Sequence, residues 1–143
     1  MNKKAEQLRD YLGAHQIGGY TIKELRDDPM QTNAFEFTFT VNGNNFPLYV
    51  ILDTSMFVMI RLRVATRSVV DTNRAAVVEL LNRFTQEVKP LKYYVDPAGD
   101  IIIDACVFAK ENALDSELVY TMIQIIGQQI DTQYPEMMQA LQA

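Results

Sequence analysis

Between residues 35 and 41 the sequence alternates without a break. Phe35, Phe37, Phe39 and Val41 fall on one parity, and Glu36, Thr38 and Thr40 on the other. Side chains of an extended chain point to opposite faces with period 2, so this segment has one apolar and one polar face. A helix would scatter the same residues around its circumference. Asn42-Gly43 follows, a pair in which positive φ costs little, and it predicts a tight hairpin. A second strand is predicted over 46–52 and a third over 57–64, with Asp53-Thr54-Ser55 as the turn between them. In the third strand Val58, Ile60, Leu62 and Val64 face one way, and Arg61 and Arg63 the other. Three strands joined by short turns make an antiparallel meander.

Helices flank this meander. Residues 2–14 place Ala5, Leu8 and Leu12 on one stripe, and Gly13, Gly18 and Gly19 end it. Residues 20–33 have no clear period. Tyr20, Ile22 and Leu25 fit either a short strand or a packed loop, and Asp27-Asp28-Pro29 reads as a turn. Over 73–88, Val77, Leu81, Phe84 and Val88 recur at helical spacing, and Pro90 stops the helix. Strands are predicted over 91–95 and 101–108, around the turn Asp96-Pro97-Ala98-Gly99. A last helix is predicted from Asn112 as N-cap, interrupted at Tyr134-Pro135, with 136–141 as a short separate helix. The expected fold class is α+β in the order α-β-β-β-α-β-β-α, an antiparallel sheet with helices packed on one face. No linker, repeat or low-complexity tract divides the chain, so 1–143 is expected to be a single domain.

Composition narrows the function classes. The net charge is −5 and the pI about 4.8, which speaks against general binding of nucleic acid. No apolar run follows Lys3 and Lys4, and none approaches the ~20 residues of a membrane span. The single cysteine can form no internal disulfide. A cytoplasmic protein with no membrane association is expected.

Candidates for chemistry are few. His15, the only histidine, sits at a predicted helix end, where a structural role with the terminal carbonyls is expected. Cys106 lies mid-strand among apolar neighbours and reads as core or half-buried filler. Glu36, Asp53 and Asp104 are the carboxylates nearest the strands. Asp104 interrupts an apolar strand, and the expectation is that it lies on a solvated sheet face. No zinc-type ligand spacing and no phosphate-binding glycine loop occurs. No catalytic residue, metal or cofactor is expected.

Two features remain. Arg61, Arg63, Arg67 and Arg74 make a basic segment in an acidic chain, readable as an anion site or as a solvated strand face. Large apolar residues also fall on the strand faces opposite the core rows: Tyr49, Ile51, Phe57, Met59, Ile102 and Phe108. Such a surplus marks an interaction surface, unless a second copy of the chain or the 16–33 loop covers it. The candidate partner-binding set is Tyr49, Phe57, Met59, Arg61, Arg63, Ile102 and Phe108.

The run Tyr93-Tyr94-Val95-Asp96-Pro97-Ala98-Gly99-Asp100-Ile101-Ile102-Ile103-Asp104 precedes a long last helix that carries Tyr134-Pro135 near its end. With Leu81-Asn82-Arg83 inside the helix from Val77 to Phe84, it resembles the YbjN-type family of bacterial proteins, labelled sensory transduction regulators. The element order looks like the type III secretion chaperone-like fold. The resemblance implies a non-enzymatic binding protein, a homodimer, and a client polypeptide held on sheet and helix surfaces. It supplies no catalytic residues. A different class of function, a regulator sensing a small ligand or anion through Arg61, Arg63 and Arg67, stands beside it.

Overall fold

The computed structural model describes all 143 residues. In chain order the elements are α1 (Lys3–Ala14), β1 (Thr21–Glu24), β2 (Asn33–Val41), β3 (Asn44–Leu52), β4 (Phe57–Ala65), α2 (Arg74–Glu87), β5 (Lys92–Val95), β6 (Ile101–Phe108) and α3 (Ser116–Leu141). The strands form one sheet in the order β1-β2-β3-β4-β6-β5, with every neighbouring pair antiparallel. The interior strands are eight or nine residues long, and the two margins, β1 and β5, four each.

Period-2 patterning places the core. Phe35, Leu48, Val50, Leu52, Val58, Ile60, Leu62, Ile101 and Ile103 are fully buried on one face. Leu8 and Leu12 of α1, Leu81 and Phe84 of α2, and Val119, Ile126 and Ile130 of α3 close over them. Each such side chain contributes about 1.5–3 kcal/mol by leaving water. All three helices therefore lie on one side of the sheet, as the patterning predicts, and the other side stays open.

Three expectations need correction. The chain has four strands before α2, because Thr21–Glu24 pairs with β2 at its margin. A four-residue strand with one half-buried apolar residue, Ile22, is too short to show a period, and Tyr20 anchors it by stacking on Phe35 at 5.5 Å. The last helix starts at Ser116, where the Asp115 carboxylate accepts the Leu118 N–H at 3.0 Å, rather than at Asn112. Pro135 does not break it. The proline is exposed, so the one backbone bond it forfeits opens to water while Met137, Met138 and Leu141 stay packed.

Specific polar ties set the element ends. The Asn2 side chain caps α1 and donates to the carbonyls of Gln31 and Leu52. Buried Lys4 donates its ammonium to the carbonyls of Ser55 and Phe57, clamping α1 to the β3–β4 turn. Asn73 donates to the carbonyls of Ser68 and Leu141, holding the end of α3 to the loop before α2. Gly99 turns the β5–β6 hairpin at φ +86°, and its carbonyl accepts the Val69 N–H at 3.0 Å.

Candidate functional site

The open face of the sheet is ordered in rows that the strand register fixes. One row runs Ala34, Ile51, Met59, Cys106 across β2, β3, β4 and β6. Beside it Phe57 and Phe108 form a cross-strand pair with ring centres 5.5 Å apart. Phe57 is 46% exposed and Phe108 70%, and Met56 next to them is 53% exposed. Two phenylalanines left in water at a strand pair are costly for a chain with nothing to place on them.

The next row is polar: Glu36, Tyr49, Arg61, Asp104 and Lys92. Arg61 donates from Nε and Nη2 to the two oxygens of Asp104 at 2.8 and 3.0 Å. The Tyr94 hydroxyl adds a third bond to Asp104 at 2.8 Å. The Tyr49 hydroxyl donates to Glu36 at 3.4 Å, and the Lys92 ammonium lies 4.9 Å from the centre of the Tyr94 ring. Asp104 does not lie solvated on this face, as its sequence context suggests. It points to the open side and is buried there by its own partners. The bonds it donates to Asp104 hold the Arg61 guanidinium above its ordinary pKa. Burial, then the bond to Asp104, pushes Tyr94 up; burial, then Glu36, does the same to Tyr49.

The third row holds Arg63, Ile102 and Tyr94. Arg63 pairs with Asp100 and reaches Asp96 at 3.4 Å. Backbone N–H bonds from Asp100 and Ala98, with Arg63 beside them, lower the Asp96 pKa. Ile102 is only 1% exposed, so of the seven candidate residues it offers a partner no surface. Tyr49, Phe57, Met59, Arg61, Arg63 and Phe108 do come together on the open face. Phe57, Met59 and Phe108 make its apolar end, and the two arginines are already neutralised inside its polar end.

The other sequence candidates scatter. His15 caps α1, its backbone N–H and its Nδ1 both on the Tyr11 carbonyl, and stays exposed. Asp53 holds Ser55 in the β3–β4 turn. Cys106 is exposed rather than buried, because it shares the parity of Phe108 and not that of Ala105. Parity with Phe108 already puts Cys106 on this face; Ala34, which shares the parity of Glu36, is the member of the apolar row that patterning overlooked. No group of three or more His, Cys, Asp or Glu is arranged to hold a metal ion, and no helix is long and apolar enough to cross a membrane. A cavity of about 630 Å³ is an open groove between α2 and α3 bridged by the Arg83–Glu136 ion pair.

A protein-family comparison matches residues 4–139 to "YbjN: Putative bacterial sensory transduction regulator". No curated protein matches the sequence. Among solved structures, the chain is similar to one described as "Crystal Structure of the ExsC-ExsE Complex", with 12% identity and a TM-score of 0.49, covering 92% of this chain and 96% of that one.

Proposed function

The chain belongs to the YbjN family, and from that premise we propose that it is a non-enzymatic regulatory protein that works by holding a partner polypeptide on the open face of its sheet. One observation carries this reading. Phe57 and Phe108, with Met59 and Ile51 beside them, form an apolar surface on the side that no helix covers. Tyr49, Arg61 and Arg63 rim it with polar groups, the usual anatomy of an interface. The protein acts in the cytoplasm, as a homodimer, in this reading.

The anion-sensing alternative is weaker on the same geometry. Arg61 is spent on Asp104 and Arg63 on Asp96 and Asp100, which leaves Arg67 alone among the three without an ion-pair partner.

Native mass spectrometry of tagged protein isolated from its own host tests the proposal. Wild-type protein is expected to carry a polypeptide at fixed ratio, and Phe57→Asp and Phe108→Asp proteins to lose it. A polypeptide retained by both variants, or none on the wild type, overturns it.

A further inference from the structure

The pairing of β3 with β4 stops at Leu48 opposite Leu62, although β3 begins at Asn44 and β4 runs to Ala65. Continued, that register would set Pro47 against Arg63, Phe46 against Val64, Asn45 against Ala65, and Asn44 against Thr66. Those residues instead line a cleft of about 330 Å³. Two features hold it open. Pro47 has no N–H to give to a ladder. Opposite it, β4 shifts register against β6 between Arg63 and Ala65, and such a bulge bends its strand.

Each strand remains paired on its far side, β3 with β2 as far as Asn44 and β4 with β6 as far as Ala65. The cleft is therefore walled by two strand edges that face each other. Beyond the Pro47–Arg63 position the two strands no longer pair with each other, so backbone groups turned into the cleft there have no partner on the opposite strand. Tyr134, Met138 and Leu141 of α3 supply the floor. Tyr134 is fixed to one wall, accepting from the Asn44 amide at 3.1 Å and packing on Phe46 at 5.4 Å.

We propose that this cleft is a binding site for an extended polypeptide segment a few residues long, which slots between β3 and β4 and hydrogen-bonds to both. Main-chain pairing supplies the attraction, and side chains of alternate parity supply selectivity. One parity meets Phe46, Val64 and Met138 and takes an apolar or β-branched residue. The other meets Pro47 and Arg63 and takes polar ones. A proline at the centre of the segment is rejected, because it removes an N–H that a wall would receive. The inference rests on the partner-polypeptide reading and gives it a second, separate place.

The test uses the full chain with a C-terminal extension, a Gly-Ser linker followed by Thr-Val-Thr, since α3 ends at the cleft with Leu141. Tethering raises the local peptide concentration to about the millimolar range. Amide hydrogen exchange by NMR is the readout. Without the extension, the cleft-facing amides within 44–46 and 65–66 exchange faster than those of the paired 48–52 segment. With it they slow by about tenfold or more, and Thr-Pro-Thr in place of Thr-Val-Thr abolishes the effect. Pro47→Val, which restores the missing donor, closes the ladder and also abolishes it. Ladder-like protection without any extension, or no slowing with Thr-Val-Thr, overturns the proposal. Phe108→Asp leaves the cleft response intact, so the cleft and the open face fail or stand separately.

Discussion

Arg61 on β4 and Asp104 on β6 stand opposite each other at one register position and share two parallel hydrogen bonds, 2.8 and 3.0 Å long. The Asp104 side chain is 3% exposed and that of Arg61 34%. With Tyr94 as third donor, the carboxylate exchanges its water for three fixed bonds, which is what allows a charge to be buried on an otherwise open face. The polar half of that face is thereby satisfied within the chain, and its apolar half is what remains for others.

Removing one partner of this pair should therefore be expensive. Asp104→Asn is expected to cost about 2–3 kcal/mol, because the Arg61 fork loses its match and Tyr94 an ionised acceptor. Urea denaturation checks it. In a double-mutant cycle with Arg61→Met, a coupling of about 1–3 kcal/mol is expected.

Burial pushes the Tyr93 hydroxyl up to about 12 while it donates to Gln133 at 2.7 Å. The unfolded chain releases that proton near pH 10, the folded chain about two units later, so Tyr93 supplies stability below pH 10 that is lost as pH rises to 12. The loss is on the order of 2 kcal/mol, less what solvent screening removes. Lys4, whose pKa burial lowers, acts with the opposite sign, adding stability as pH climbs toward the ordinary lysine value. The measurement is accordingly a difference: urea midpoints of wild type and Tyr93→Phe should converge between pH 10 and 12.

Gly99→Ala should destabilise strongly for two independent reasons. Its φ is +86°, and a Cβ there would sit 2.7 Å from the Val69 carbonyl oxygen, a backbone atom that cannot swing aside. The expected cost is roughly 2–5 kcal/mol, read as a fall in the urea midpoint. Gly127→Ala meets only the edge of the Phe39 ring, at 3.0 Å, and gains helix propensity of about 1 kcal/mol, so its net effect should be far smaller.

Phe108→Asp separates binding from folding. With the ring 70% exposed, its replacement is expected to leave stability within about 0.5 kcal/mol of wild type while it removes partner binding. A large stability loss on calorimetry would mean that the ring packs within the chain rather than waiting for a partner.

Much of the fold is legible wherever a residue pattern is longer than its noise. Phe35 to Val41 and Ile60 to Val64 alternate over several residues, Phe46 to Leu52 is an unbroken apolar run, and the structure buries one parity of each. Thr21–Glu24 is too short for that, and its place in the sheet comes from Tyr20 stacking on Phe35, a contact across the hairpin partner that spacing does not encode. The apolar end of the open face follows from parity alone. Its polar end does not, because Asp104 and Ile102 become buried through Arg61, Arg63 and Tyr94 on neighbouring strands, and the adjacency of β4 to β6 across α2 and β5 is a tertiary fact. The cleft at Pro47 depends on a bulge in β4 that no local sequence rule announces.

The sheet's four-residue margins bear on how the protein behaves when crowded. A long bare edge is a template on which copies polymerise into fibrils. Here β1 carries Lys23 and Glu24 and β5 carries Lys92, and neither is long enough to seed a growing stack. The molecule can thus keep a wet phenylalanine pair and an unzipped seam at its middle without becoming a nucleus for aggregation. Its exposed apolar surface is confined to places of fixed shape.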